Sequence, residues 1–349
     1  MLAVQLTDWG RPPVVREVAD PEPTGTELLL DVDAAGLCLS DLHVMDTPSG
    51  AFDYPLPLTL GHEVAGTVRA VGPQADPAWI GESVVVHGIW ACGTCRNCAR
   101  GRENYCLALA REPGGRNPRI GNGLGHPGGL AERLLVPSAA VLVRTHGLDP
   151  VVAAPLADAG LTAYHAISSN SDLIDSSTVA VVIGVGGLGH MAIQILRAMG
   201  VSAVIAVDNR DQARALALSL KADASYASVD EAAADIGARG GADIVLDFAG
   251  APATVEPASA VLGPGGRLVI VGTAGGRVTV GKDVGLASGW QVRAPFWGTR
   301  ADLAAVVALA ADGRLTAETV TFDLRDAPEA YEQLRRGELP GRAVVLPKR

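Results

Sequence analysis

Aromatic side chains make up only 4% of this 349-residue chain, too few for the stacking platforms that grip single-stranded nucleic acid. Basic charge is also short. Twenty-eight Lys and Arg against 38 Asp and Glu leave a formal net charge of -10, which excludes the broad basic face that nucleic acid or an anionic membrane requires. Met1 to Gly10 offers neither a basic start nor a secretory apolar core, since Asp8 interrupts it, and a cytoplasmic protein is expected. The longest weakly charged stretch, Thr178 to Leu196, holds Gly184, Gly186, Gly187, Gly189 and His190. It reads as a strand, a glycine turn and a buried helix rather than as a membrane span. There is no internal repeat and no low-complexity tail. What the chain does have is apolar bulk, 48% against 19% charged, and its wealth of Ala, Val and Gly suits helices packed closely on a parallel sheet. The length predicts about two domains.

Periodicity divides the chain. Up to residue 150, short apolar or alternating runs such as Leu28–Val32, Val64–Val71, Ser83–His87 and Leu130–Val136 are bounded by Gly and Pro, the pattern of a β-rich domain. Glu112 to Gly129 reads as irregular loop. Over 151–290 the pattern alternates: strand Thr178–Ile183, helix Leu188–Met199, strand Ala203–Val207, helix Asp211–Leu220, strand Asp243–Leu246, helix Ala253–Leu262 and strand Gly266–Val271. Strands alternating with helices at this spacing predict a parallel α/β sheet. From Gln291 the structure is mixed again, with a helix over Asp302–Ala311 and a closing strand over Ala343–Leu346.

Within the alternating part, Gly184-Val185-Gly186-Gly187-Leu188-Gly189 follows a buried strand and opens a helix. Alone such a match is weak, but this context is the one that a dinucleotide needs. The first glycine makes the turn, the second admits a pyrophosphate, and the last lets helix and strand pack. Asp208, at the end of the next strand, can accept both ribose hydroxyls of an adenosine and repels a 2′-phosphate, so NAD is expected over NADP. Asn209, Arg210 and Val271 complete the candidate coenzyme contacts. A glycine turn without nucleotide, with Asp208 a solvated strand end, is the plainer alternative.

The five cysteines are unevenly placed. Cys92-x2-Cys95-x2-Cys98-x7-Cys106 gathers four thiolates, enough to saturate one tetrahedral zinc, so that metal is expected to be structural. A redox-active CxxC or a nucleic-acid-gripping zinc ribbon fits less well, the second because the chain is acidic. Cys38 stands alone, followed by Ser40, Asp41 and His43, with Gly61-His62-Glu63 further on. Cys38 and His62 together offer a soft thiolate and an imidazole for a second zinc. A catalytic zinc needs a third protein ligand and an open position, and spacing does not reveal that ligand.

Gly61-His62-Glu63-x2-Gly66-x5-Gly72-x2-Ala75 resembles the signature of zinc-containing medium-chain alcohol dehydrogenases. The cysteine lobe and the glycine turn follow in the order that family shows, so the resemblance covers essentially the whole chain. Pro155 to Thr162 and Pro295-Phe296-Trp297-Gly298-Thr299 resemble bacterial secondary-alcohol dehydrogenases in particular. The fold implied is a Rossmann doubly wound sheet over 151–290 and a β-rich, GroES-like catalytic domain from 1–150 and 291–349. Cys38 and His62 become ligands of a catalytic zinc. Asp158 stands where most of the family has a second cysteine, and one thiolate, one carboxylate and a neutral imidazole still cancel Zn(II). The resemblance implies that Asp41 orients His62 and that Glu63 sits behind the metal. Ser40 and His43 match the family's proton relay, Thr162 lies by the nicotinamide, and Tyr54, Leu124, Phe296 and Trp297 wall the pocket.

That wall suits small to medium hydrophobic alcohols or ketones. A polyol or threonine dehydrogenase of the same architecture is the rival within the family, and a non-catalytic zinc- and NAD-binding redox sensor the rival outside it. Intact Ser40 and His43 weigh against a sensor. Leu39 departs from the Arg or His that many relatives carry against the coenzyme pyrophosphate. A homodimer or homotetramer is implied as well.

Overall fold

A computed structural model describes residues 1–281 and 289–348. Within the expected 151–290 segment, residues 282–288 lie outside the described residues. The chain forms two compact units: Met1–Asp158 with Thr299–Ala311 and Ala317–Arg349, and Ala159–Gly298 with Asp312–Thr316. Two crossings fall at 158/159 and 298/299, where the change in sequence periodicity puts them at 150/151 and 290/291, and two more bracket Asp312–Thr316. The first lies inside a helical run that continues through it, Pro150–Pro155, Leu156–Gly160 and Leu161–Ser168, so periodicity carries no boundary signal there.

The first unit is built on a seven-stranded sheet. Its centre is the long antiparallel pair Leu28–Gly36 and Glu63–Val71, flanked by Ser83–Val86 on one side and Arg342–Leu346 on the other. Leu28, Leu30, Val32, Ala34 and Ala35 are fully buried, as are Val64 and Val84 to Val86, so the sheet closes on an aliphatic core. Strand Leu2–Leu6 pairs separately with Val14–Glu17 and Leu58–Thr59. The stretch expected to be irregular, 112–129, does contain order: Gly121–Asn122 and Gly125–His126 pair, because Gly123 and Gly125 adopt φ of +70° and +97° that let the chain fold back.

The second unit is a six-stranded parallel sheet in the order Ala224–Tyr226, Ala203–Val207, Val179–Ile183, Ala242–Asp247, Leu262–Ile270, Gln291–Arg293. Chain order thus reverses at Val179–Ile183, the topological switch point of a doubly wound sheet. Val179–Ile183 and Ala203–Val207 are buried along their whole length, as strands covered on both faces must be. Two expected boundaries shift. The helix read as Ala253–Leu262 spans Pro252–Ala260, and Leu262 already opens the strand read as Gly266–Val271. Leu262 pairs with Ala242 across an irregular register, a tertiary contact that overrides helical propensity at the helix end. No helix among the described residues is long and apolar enough to cross a membrane.

Candidate active site

Strand register builds the site in the first unit. Gly36 pairs with Glu63 and with Val344, so three strands that are remote in sequence end together. Cys38 follows Gly36 immediately beyond Leu37 and starts the helix Leu39–Asp46, while His62 precedes Glu63. Gly36 is needed here: a Cβ on it would stand 1.9 Å from Glu63 Oε2. Asp158 enters from the π-helical turn Leu156–Gly160, a wider turn of the kind that often aims a side chain into a functional centre.

The donor atoms of Cys38, His62, Glu63 and Asp158 all lie within 4.8 Å of one another, and all four residues are buried. Asp158 Oδ2 is 3.4 Å from Cys38 Sγ and 3.5 Å from His62 Nε2. Ligands at about 2.0–2.3 Å from one tetrahedral centre stand about 3.4–3.7 Å apart, so these three fit a shared metal. His62 Nδ1 faces Asp41 Oδ1 at 3.0 Å, which leaves Nε2 as the ligating nitrogen. The other oxygen of Asp41 accepts from the Cys38 N–H at 3.0 Å and from the Tyr331 hydroxyl at 2.9 Å. One carboxylate thereby braces both the Cys38 backbone and the His62 imidazole.

Arg342, in the strand Arg342–Leu346, is, with Tyr331 and Gly36, a residue that sequence reasoning missed. Its guanidinium is buried, pairs through Nε with Glu63 Oε2 at 2.9 Å and through Nη2 with Glu63 Oε1, and reaches Asp158 Oδ2 at 3.2 Å. Charges balance as two sets. Zn(II) would be neutralised by Cys38 and Asp158, and Glu63 by Arg342. Burial pushes the Glu63 carboxyl up to about 7 against the pull of Arg342. Burial would raise Asp158 as well, but the bond from His62 and the charges of His62 and Arg342 hold it well below the usual carboxylate range. Burial disfavours a charged His62, yet Asp41 and Asp158 outweigh it and raise its basicity.

The remaining expected residues of this unit lie around that centre or beside it. Ser40 Oγ is 3.5 Å from Cys38 Sγ. His43, exposed on the same helix, meets Phe52 edge-on at 6.2 Å, and Phe52 in turn packs on Tyr54 at 4.7 Å. Tyr54 is partly buried, which pushes its phenol up while the charge of His62 opposes the shift. Leu124 is buried in the tight Gly121–Leu124 fold-back. Leu39 is 62% exposed on the first helical turn.

The cysteine lobe is separate and tighter in sequence. Sγ of Cys98 lies 3.5 Å from Sγ of Cys95 and 3.9 Å from Sγ of Cys92, against about 3.8 Å for sulfurs around one zinc. Backbone N–H groups of Cys95, Leu107 and Cys92 donate to the sulfurs of Cys92, Cys95 and Cys106, each at 3.4 Å. Such donors stabilise thiolate: backbone bonds from Thr94 and Cys95 hold Cys92 at about 6.

In the second unit Gly184 has φ +84° and makes the turn, and a Cβ on Gly189 would collide with Gly184 O at 1.9 Å. A Cβ on Gly186 would meet only Arg210 Nη2, at 3.8 Å. Its missing side chain therefore leaves open space, as a pyrophosphate at the N-terminus of helix Gly189–Ala198 needs. Asp208 is buried beside this turn and accepts from the Val185 N–H at 2.8 Å. Asn209 and Arg210 are exposed next to it, and Gly187 and Leu188 lie in the turn itself. Val271 is partly buried and donates its N–H to Asp247 O. Thr162 is buried in the helix Leu161–Ser168. Phe296 is 45% exposed, whereas Trp297 is buried and adopts φ +52°, a conformation that a bulky residue holds only under constraint.

Known proteins share both units. Residues 24–146 match the family model for the alcohol dehydrogenase GroES-like domain, and residues 187–312 the one for zinc-binding dehydrogenases. A D-arabinose 1-dehydrogenase (NADP(+)) of Saccharolobus solfataricus is 32% identical over 99% of this chain and 97% of its own. An NAD-dependent alcohol dehydrogenase of Sulfurisphaera tokodaii is 32% identical over 99% of this chain and 100% of its own. Among solved structures, the alcohol dehydrogenase of Aeropyrum pernix superposes with a TM-score of 0.87 at 29% identity, covering 99% of this chain and 100% of that one.

Proposed function

The chain belongs to the zinc-containing medium-chain alcohol dehydrogenase family, and on that premise we propose that it interconverts small to medium hydrophobic secondary alcohols and ketones, and some primary alcohols and aldehydes, with NAD(H). The observation that carries this reading is the convergence of buried Cys38, His62 and Asp158 donor atoms, together with a second, complete thiolate set in the same unit.

Cys38, His62 and Asp158 would hold the catalytic zinc, and Cys92, Cys95, Cys98 and Cys106 the structural one. When bound, the catalytic metal supplies Lewis-acid stabilisation of the substrate oxygen and the nicotinamide supplies hydride acceptance. The chain's own residues do the rest. Asp41 keeps the proton of His62 on Nδ1, so Nε2 stays a ligand. Arg342 neutralises Glu63 and keeps that carboxylate from competing at full charge. Ser40, close to Cys38 Sγ, would accept the hydroxyl proton of the alcohol as it gives up its own, and exposed His43 would pass the released proton to water. Gly184, Gly186, Gly187, Leu188 and Gly189 receive the coenzyme pyrophosphate, and Asp208 its adenosine ribose, with Asn209, Val271 and Thr162 along the remaining length. Tyr54 and Leu124 supply apolar bulk for the substrate from the first unit, Phe296 and Trp297 are the candidate substrate residues of the second, and the constrained backbone of Trp297 supports a functional position. The first unit, with its C-terminal strand, is the catalytic domain, and the second the coenzyme domain.

A homodimer or homotetramer and a cytoplasmic location complete the reading. The outer edge of Gln291–Arg293 carries no strand partner among the described residues, an edge that a second copy can cover. Unpaired cysteines, free in this fold, suit a reducing compartment. Light scattering of the purified chain tests the first point. The D-arabinose relative favours one alternative, a polyhydroxylated substrate. An activity screen over primary, secondary and polyhydroxy alcohols with NAD decides between them. Turnover of simple secondary alcohols is expected to be fastest, and activity confined to polyols would overturn the assignment of an apolar pocket.

A further inference from the structure

The carboxylate of Asp208 is fully occupied by its own chain. Oδ1 accepts from the Arg210 backbone N–H at 2.9 Å and from Arg210 Nε at 3.1 Å. Oδ2 accepts from the Val185 N–H at 2.8 Å and from Arg210 Nη2 at 3.1 Å. A carboxylate has about four acceptor positions, and here all are filled, two of them by a bidentate guanidinium fork. The two backbone donors belong to the folded loop. The fork does not: the Arg210 side chain is 44% exposed while that of Asp208 is 6% exposed. Arg210 Nη2 also stands over the glycine turn, 3.8 Å from where a Gly186 Cβ would lie. The neighbouring Arg214 has no such freedom, because its guanidinium donates to Asp208 O at 2.8 Å and pairs with Asp211.

An adenosine ribose that offers two hydroxyls to Asp208 therefore competes with Arg210 for the same lone pairs. We propose that Arg210 is a coenzyme-discriminating latch, which closes on Asp208 in the free protein, must lift for the ribose of NAD to bind, and pairs with a 2′-phosphate when NADP is offered. This rests on the reading of the second unit as the dinucleotide site. Burial alone would raise the Asp208 carboxyl, but hydrogen bonds from Arg210 hold it below its usual range, so the fork grips the charged form. Two consequences have opposite signs. The latch weakens NAD, because an existing bidentate contact is exchanged for the ribose contacts. It also softens the rejection of a 2′-phosphate, because a cation stands between two anions that would otherwise repel. An isolated Asp208 would discriminate more strongly than the Asp208–Arg210 pair does.

The test measures dissociation constants by calorimetry for NAD and for adenosine 2′,5′-bisphosphate, with the intact zinc-loaded protein and its Arg210→Ala and Arg210→Lys variants. Arg210→Ala is expected to bind NAD about three- to fivefold more tightly, the scale of an exposed ion pair. The same variant is expected to bind the bisphosphate about tenfold more weakly, the scale of a lost charge-assisted contact. Arg210→Lys keeps the charge without the fork, so NAD tightens as in the Ala variant while the bisphosphate stays near wild type. Opposite movements of the two constants separate the latch from a merely structural role, which would weaken both. Unchanged or weaker NAD binding in Arg210→Ala overturns the latch while leaving the dinucleotide site intact. A wild-type protein that binds neither probe overturns the site itself, and the latch with it.

Discussion

The first unit carries two ligand clusters built on opposite plans. Cys92, Cys95, Cys98 and Cys106 lie within one loop, on short 3-10 turns such as Cys98–Arg100, and Cys92 is exposed. Their sulfurs are braced by backbone N–H groups of the same loop. Cys38, His62, Glu63 and Asp158 come from distant segments, are buried, and are braced by side chains from elsewhere: Asp41, Tyr331 and Arg342. A complete local thiolate set encloses a metal, and its binding energy is folding energy. A mixed, buried set of three ligands, with a fourth group, the Glu63 carboxylate, held by Arg342, would leave a coordination position open for substrate. The price is burying charges that must be balanced individually.

Four substitutions press on that contrast. Asp158→Ala strikes the buried set hardest: one of two zincs is expected to be lost, with turnover down about a thousandfold or more, since a Lewis-acid contribution of several kcal/mol goes with it. Metal analysis that still finds both zincs in an active variant would erase the distinction between the clusters. Arg342→Met leaves Glu63 buried without its counter-ion and should lower stability to denaturant by about 3–5 kcal/mol. Adding Glu63→Gln should restore part of that, and a single variant as stable as wild type would mean that Glu63 is neutral in the fold. Cys95→Ser acts on the other cluster. Its expected signature is a lower melting temperature as one zinc is released and its binding energy is lost from folding, with turnover per folded molecule nearly unchanged at low temperature. An equal fall in turnover would show that the lobe serves chemistry directly. Tyr331→Phe is the mildest, removing one donor from Asp41. About a two- to tenfold fall in kcat is expected, the worth of roughly one hydrogen bond, with both zincs kept; loss of zinc would give Tyr331 a larger structural part.

The contrast also explains what could be read in advance. Ligands of the cysteine lobe are neighbours in sequence, so their spacing is their geometry. The glycine turn is likewise local: Gly184 and Gly189 are required by a turn angle and by one backbone collision within six residues of chain. Arg342, Tyr331 and Gly36 were invisible because nothing near them in sequence states their partners. Arg342 meets Glu63 only through the pairing of Gly36 with both Glu63 and Val344. One signal was present, a charged residue opening the otherwise apolar closing strand Arg342–Leu346. The strand had been read from Ala343, which dropped the residue that mattered. Asp158 was reachable only by resemblance, and its wide helical turn has no signature in the local pattern.

By itself the sequence determined which chemistries were available: four thiolates at chelating spacing, a phosphate-cradling turn, a lone Cys and His, and a net charge of -10. These are properties of residue type and of short-range spacing, and they persist in any conformation of the local chain. Only the tertiary structure decided which groups share one charge balance. Ion pairing in a buried site depends on strand register, and a one-residue slip would turn Arg342 or Glu63 to the opposite face. The same holds at Asp208, where a carboxylate that looked free to receive a ribose is already held by Arg210. Sequence identifies an acceptor, but occupancy of its lone pairs is a matter of distance and angle.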